Sequence, residues 1–446
     1  MTQTMAVGSP RRRLVVVAMC FLAILADGYD LGIYGATLPT LLKGSGWDMG
    51  PALAGAIGSY TLVGMMVGYL LAGPITDRVG RRPILVAGIA WFSVGSGICA
   101  LATGPGFFGA ARFFTGIGLG LVVPSAIALG VEFAPRGRHQ IYNGLLLTGY
   151  AVGGVGAALA GLFLVPHLGW RGPYWVGAAF LLAVPVVAAL VPESVGHLTA
   201  RGRLAEAGKI AARYGLYQPE AVAADKRASR SWVAGLRDVF QRRYRRATVL
   251  FFIASACGTL LLYGLNTWLP QLMREAGYPL GSSLEFLLLY QAGSVAGLIA
   301  GALLADRVGP KPVVVPYFLV AVVCLLLLAQ PLGVPVLMMA VILTGLGTSA
   351  TQSLIDGYIA VYYPASSRAS ALGVTLGFGR VGAIAGPSIA GWVLAAGVGF
   401  QWNFYAFAIP ALVGAIAISA MPRRRATDQL ADDGISTAVI NPGVTR

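Results

Sequence analysis

Gly73-Pro-Ile-Thr-Asp77-Arg78-Val-Gly80-Arg81-Arg82-Pro83 is matched later in the chain by Leu304-Ala-Asp306-Arg307-Val-Gly309-Pro310-Lys311-Pro312. Each stretch carries D-R-V-G, a basic residue and a proline in the same order. Each also follows the second apolar run of its half of the chain. Glycine suits a tight turn with φ > 0, and proline the first turn of the helix that follows. The aspartate can meet that helix N-terminus or a neighbouring arginine. Two such turns at equivalent positions point to an internal repeat. Paired six-span halves are the build of a rocking transporter with its site where the repeats meet.

Working outward from these turns, twelve apolar runs emerge, at 14–40, 52–75, 83–103, 107–133, 141–165, 172–191, 247–270, 284–305, 312–331, 334–359, 370–396 and 401–421. About 20 apolar residues cross the hydrocarbon of a bilayer as one helix. The 446 residues are 57% hydrophobic and only 11% charged, against roughly 25% charged in soluble domains. Mean hydropathy is +0.75. The expected fold is all-α and integral to the membrane, with twelve transmembrane helices in two six-helix halves. The N-terminal bundle is 1–191, a polar central loop 192–246, and the C-terminal bundle with its tail 247–446. Within the loop, Arg201 to Gly215 suits a short amphipathic helix at the membrane surface.

The net charge of +15 suggests a nucleic-acid partner only until the charges are placed. Of the 32 Lys and Arg residues, 27 fall on one side of the spans. Lys43, Arg171 and Arg274 fall on the other side, and Arg112 and Arg380 lie within spans. The basic side is cytoplasmic, so both termini and the central loop are expected in the cytoplasm, with the bilayer itself as partner. Arg11-Arg12-Arg13 precedes a run too long for a signal segment, and that run is followed by many others. Cys20, Cys99, Cys257 and Cys324 sit in four different spans, which suits packing and not metal ligation.

Inside the first span lies Ala26-Asp27-Gly28-Tyr29-Asp30-Leu31. Asp27 and Asp30, three residues apart, share a helix face. Charge at that depth is costly, which makes both acids candidates for a working role. Arg380 lies ~15 Å into span eleven, flanked by Gly377, Gly379 and Gly382. A guanidinium can hold a carboxylate through two parallel hydrogen bonds, or it can serve as one half of a structural ion pair. Tyr34, one turn beyond Asp30, is placed to face the same cavity. Asn266, Gln291 and Trp392 are further candidates for its lining.

The loop from Gly73 to Arg82 resembles the signature between helices two and three of the major facilitator superfamily. Arg112-Phe-Phe-Thr-Gly116-Ile-Gly118 resembles that superfamily's helix-four motif, and the likeness covers almost the whole chain. Asp27-Gly28-Tyr29-Asp30 resembles the D-G-x-D signature of the aromatic acid:proton symporter family. Val131-Glu132-Phe133, Tyr363-Pro364 with Arg368, and Gly377-Phe-Gly379-Arg380-Val-Gly382 with Gly386-Pro387 extend that likeness. Trp268-Leu269-Pro270 and Leu280-Gly281-Ser282-Ser283-Leu284 look most like the benzoate-transporting branch. Three features depart from the pattern. Pro310 stands where a basic residue is usual, Asp356 where asparagine is usual, and span five lacks the Gly-Pro of the antiporter motif.

The resemblance implies a proton-coupled importer of small aromatic carboxylates, benzoate or a hydroxybenzoate first, working by alternating access as a monomer without a cofactor. Asp27, Asp30 and Glu132 are the expected proton-coupling acids. Arg380, Arg112, Tyr34, Asn266, Gln291 and Trp392 are the expected substrate-binding residues. Gly73, Asp77, Arg78, Gly80, Arg81, Asp306, Arg307 and Arg368 form the expected gate, which Glu132 is also placed to join. Burial favours the protonated form of a carboxylate and a nearby guanidinium the ionised form. A proton on Asp27 or Asp30 is therefore expected to free Arg380 for the incoming anion. The alternative is a carrier of another solute, a sugar or a drug exchanged for protons, on the same fold. An enzyme is not expected: Gly377-x-Gly379-x-x-Gly382 lies inside a span with no strand before it, so it fails as a dinucleotide fingerprint. His139, His167 and His197 lie in or beside loops without the grouping of metal ligands.

Overall fold

The computed structural model describes residues 10–135, 138–216, 239–363 and 365–422. The sequence expectations that involve Arg136, Pro364, the stretch 217–238 and the tail from 423 lie outside these residues. Twelve helices among the described residues are long and apolar enough to cross a membrane. In chain order they begin with α1 (Pro10–Gly44), α2 (Pro51–Val79), α3 (Arg81–Ala100), α4 (Pro105–Glu132) and α5 (His139–Leu168). The sixth span is α6 (Arg171–Ala179), a 3-10 turn (Phe180–Ala183) and α7 (Val184–Leu190). Two short helices follow, α8 (Val195–Ala200) and α9 (Leu204–Tyr214). The remaining spans are α10 (Arg245–Glu275), α11 (Leu280–Val308), α12 (Lys311–Leu328), a composite tenth span, α15 (Ala365–Ala395) and α16 (Gln401–Ser419). That composite span is α13 (Val334–Gly345), a π turn (Leu346–Ala350) and α14 (Thr351–Tyr362).

Helix starts follow local chemistry. Pro51, Pro105, Pro312 and Pro335 occupy first-turn positions, where a missing N–H costs nothing. Gly80 and Gly309, in the two repeated turns, have φ of +107° and +84°, a region that penalises any Cβ.

By packing, the chain divides into two compact units. One comprises Met1–Ala224, Tyr263–Val295 and Ile384–Asn403; the other comprises Asp225–Leu262, Ala296–Ala383 and Phe404–Arg446. In the first unit α1 runs along α5 and α2 along α4, and glycines permit the approach. A Cβ at Gly28 would collide with the backbone of Tyr150, one at Gly153 with the Leu25 carbonyl oxygen, and one at Gly64 with that of Phe113. Apolar solvent gives helices little reason to associate, so close backbone packing has to supply the attraction. In the second unit Gly347 of the π turn lies on the backbone of α12 at Tyr317, and Gly382 lies on the Ala256 carbonyl oxygen.

The amphipathic helix expected near Arg201–Gly215 is α9. Its buried residues are Ala207, Ala211 and Tyr214, and the Tyr214 ring meets Phe133 edge to face at 5.2 Å. Arg13, at the start of α1, donates to the carbonyls of Tyr214 and Gly215. The helix thus docks on the ends of α1 and α4, with a cation at its C-terminus, where the helix dipole favours one.

Candidate functional site

Three constellations of charge emerge, two buried within spans and one at a helix-end junction. The first is built on α1 and α4. Asp30 is 0% exposed and Arg112 is 2% exposed. Arg112 Nη1 donates to both carboxylate oxygens of Asp30, each at 2.8 Å. A buried carboxylate and guanidinium each lose hydration worth several kcal/mol, which only a close, hydrogen-bonded partner offsets. The Tyr34 ring lies 5.4 Å from the guanidinium carbon, within cation–π range, and its hydroxyl donates to the Ala54 carbonyl at 2.6 Å. Asp27, also 0% exposed, lies one turn before Asp30.

A cavity of about 10 Å³ adjoins this pair, lined by Tyr34, Thr61, Arg112, Tyr263 and Asn266 among others. It has room for about one water molecule. Arg112 Nε, Thr61 Oγ1 and Asn266 Oδ1 make no hydrogen bond among the described residues. They give a small space an unusual density of polar atoms.

On the Gly44 side of this cavity, α1 and α2 are sealed against α10 and α15. A Cβ at Gly35 would collide with the Asn266 carbonyl oxygen, and one at Gly55 with that of Pro387. Ser59 donates to the Ile384 carbonyl at 2.6 Å, and Trp268 Nε1 to the Pro387 carbonyl at 2.8 Å. That last bond joins two stretches that the family resemblance singled out separately, Trp268-Leu269-Pro270 and Gly386-Pro387.

The second constellation lies in the other unit. Arg380, half-buried on α15, acts electrostatically on Asp356 of α14. Gln352 Nε2 donates to Asp356 Oδ1 at 3.0 Å and to Ser255 Oγ at 3.2 Å. In this arrangement Asp356 is an acid on which Arg380 acts, and Arg112 is the cation that holds Asp30.

The third constellation lies where α2, α3, α4 and α8 end. Arg81 Nη1 reaches Glu132 Oε2 at 3.1 Å. Ser194 Oγ donates to the same oxygen at 2.6 Å, and the Gly196 N–H donates to Oε1 at 2.9 Å. Glu132 thus joins the repeated turn to the first turn of α8. The carboxylate on the N-terminus of α3 is Glu193, which accepts from the Arg81 and Arg82 N–H groups at 2.9 and 3.2 Å. Asp77, for which that N-terminus and a neighbouring arginine were both open, offers its backbone carbonyl to Arg201. Gly80 leaves the space that the Glu193 carboxylate fills. Gly73, Asp77 and Arg78 are exposed, as are Asp306, Arg307 and Arg368. In the mirror turn Lys311 donates to the Ser419 and Met421 carbonyls at the end of α16, 2.8 Å each.

Of the other expected lining residues, Asn266 reaches the cavity, whereas Gln291 packs its amide on the bare backbone of Gly154. Trp392 is 62% exposed, and the cavity lining does not include it. Residue type alone carried both expectations, and it does not say which way a helix turns a side chain. Glu193, Tyr263 and Gln352 escaped notice. Glu193 left a signal, as an acid at the end of a span whose flank is otherwise basic.

Comparison with known proteins now adds what geometry does not. The family model described as Major Facilitator Superfamily matches residues 20–304 and 283–439. A gentisate transporter of Corynebacterium glutamicum is 36% identical over 94% of this chain and 90% of its own length. The benzoate transport protein of Acinetobacter baylyi is 34% identical over 92% and 90%, and a 4-hydroxybenzoate transporter of Pseudomonas aeruginosa 30% over 90% and 91%. Among solved structures, an inward-facing bacterial homolog of the human lysosomal transporter Spinster superposes with a TM-score of 0.75 at 16% identity, covering 95% of this chain and 99% of that one. The Escherichia coli xylose transporter, partially occluded and inward open, gives 0.72 at 16% over 92% and 98%. These two likenesses concern the fold. With twelve spans and a family match along nearly its whole length, the chain belongs to the Major Facilitator Superfamily, as a membrane transporter related to carriers of aromatic acids.

Proposed function

We propose that this protein is a symporter that brings protons and a small aromatic carboxylate, benzoate or a hydroxybenzoate first, across the cytoplasmic membrane by alternating access. The observation that carries the reading is the full-length kinship with transporters whose named substrates share one chemistry. Gentisate, benzoate and 4-hydroxybenzoate are each a ring bearing a carboxylate. Arg112 and Arg380 supply cations for such an anion, and Tyr34 and Tyr263 supply aromatic surface beside Arg112. A ring does not fit a 10 Å³ cavity, so binding beside Arg112 requires that space to enlarge, and opening of the sealed Gly44 end would do so.

The Lys and Arg bias supports an orientation with that sealed end outside and both termini in the cytoplasm. A proton arriving at Asp30 removes the charge that holds Arg112, loosening the α1–α4 contact as the anion arrives. Asp27, one turn away on the same face, is the neighbouring station for that proton.

Uptake of labelled benzoate, gentisate and 4-hydroxybenzoate into proteoliposomes tests this reading. An inward proton gradient should drive accumulation above that of protein-free vesicles, and a protonophore should abolish it. Failure of all three acids would reject the substrate class. The Glu132 junction makes a separate prediction. Glu132→Gln should retain proton-driven accumulation, because the carboxylate acts there as a helix and loop acceptor. Glu132→Ala should lower stability by about 1–2 kcal/mol, in line with the loss of a capping acceptor, visible as a lower melting temperature in detergent. Loss of proton dependence in Glu132→Gln would instead make it a proton carrier.

A further inference from the structure

The polar cluster on α10, α14 and α15 contains an acid for which proton–anion exchange on the Asp30–Arg112 pair leaves no task. Asp356 sits in the middle of α14, within a span. Among the described residues, the charged group acting on it is Arg380 from α15, and its hydrogen-bond donor is Gln352 from its own helix. From α10 the cluster receives the neutral hydroxyl of Ser255. Gln352 is 7% exposed. Its amide nitrogen donates both to Asp356 and to Ser255, while its amide oxygen is buried without a hydrogen-bond partner among the described residues. That oxygen lies against Gly258, where a Cβ would meet it at 2.6 Å.

Such an arrangement suits both protonation states of the acid. With Asp356 ionised, the Gln352 NH2 donates to it, as observed. With Asp356 protonated, rotation of the amide by half a turn presents Oε1 to the new O–H. Ser255 then donates to that oxygen where it formerly accepted. A hydroxyl both donates and accepts, and an amide carries both functions on one rotor, so neither state leaves the acid unsatisfied. The π turn Leu346–Ala350 ends immediately before this segment, and π turns within helices concentrate at functional positions.

We infer that Asp356, Gln352 and Arg380 form a second proton-linked anion switch, separate from Asp30 and Arg112. A proton taken up by the Asp356 carboxylate replaces Arg380 as the group that neutralises it, and the guanidinium passes to the carboxylate of the substrate. Loss of that proton returns Arg380 to Asp356 and expels the anion. The inference rests on the reading of the protein as an importer of aromatic carboxylates, and it fixes the coupling. One proton belongs to Asp30 and one to Asp356, so two protons accompany each monovalent anion and one net positive charge enters per cycle.

The test is accumulation of labelled gentisate and benzoate in proteoliposomes at a fixed pH gradient, with the membrane potential set by potassium and valinomycin. Wild-type accumulation should rise about tenfold for each ~59 mV of inside-negative potential, as one net charge requires. Asp356→Asn, which cannot draw Arg380 back from the substrate, should bind the anion but exchange it at least tenfold more slowly in counterflow, with a residual uptake that no longer depends on the membrane potential. Asp356→Glu, which keeps a carboxylate at the position, should preserve the voltage dependence. Voltage-insensitive transport by the wild type overturns the inference, whatever the variants do. So does an Asp356→Asn protein that transports with unchanged voltage dependence. Absence of any counterflow by the wild type removes the substrate reading itself and takes this inference with it, a result distinct from either of the other two.

Discussion

Arg112→Leu is expected to abolish proton-driven uptake and to destabilise the protein by about 3–5 kcal/mol, the usual cost of stranding one member of a buried ion pair. Arg112 meets both carboxylate oxygens of Asp30 in a site closed off from bulk solvent. Without the cation, Asp30 is either a bare buried anion or held permanently protonated, and neither form can cycle. Asp30→Leu should cost a similar amount, because Arg112 is then the stranded charge. The double variant Asp30→Leu/Arg112→Leu is expected to regain most of the lost stability, since apolar replacement of a whole buried pair is often neutral or better. Transport should not return with it. Melting temperatures in detergent and uptake in proteoliposomes, measured on all four proteins, separate the two effects. Recovery of proton-driven uptake in the double variant would show that the pair serves only the fold.

Gly35→Val should reduce transport by at least tenfold through a wholly different route. Its Cβ would collide with the Asn266 carbonyl oxygen, a backbone atom that cannot rotate aside. Overpacking of this kind costs about 1–3 kcal/mol, here levied on the sealed state alone. A difference of that size shifts a two-state equilibrium roughly 5- to 150-fold. The variant should therefore populate the arrangement that is open at the Gly44 end. A cysteine placed at Thr61, which lines the small cavity, should then react with an impermeant thiol reagent from outside. The same cysteine with Gly35 intact should react far more slowly. Equal labelling in both would mean that the Gly35 contact does not govern closure.

Much of the architecture was legible before any coordinates. Twelve apolar runs, a polar break and two D-R-V-G turns are local features, and they fix element type and number. What escaped was non-local or directional. Asp30 and Arg112 are 82 residues apart, and nothing in a periodic pattern tells an acid which of two intramembrane arginines it will face. Distance along α4 did separate Arg112 from Glu132, since 20 helical residues span ~30 Å, and the two have different partners. The 3-10 turn in the sixth span and the π turn in the tenth also left no trace in hydropathy. They change hydrogen-bond register without changing composition. Glu193 takes the N-terminus of α3, a place to which the chain returns only after four further spans, beyond the reach of any local pattern.

The seal at the Gly44 end is made by peptide oxygens resting on glycines and by neutral donors, Ser59 and Trp268. Its charged contact, Lys43 with Glu275 at 3.4 Å, is largely exposed and contributes little. Peptide oxygens, a hydroxyl and an indole N–H carry no charge to gain or lose, so those contacts hold equally well in acid and in neutral medium. Under the proposed proton coupling, acidity is read only further in, by Asp27 and Asp30, which lie wholly buried behind that seal.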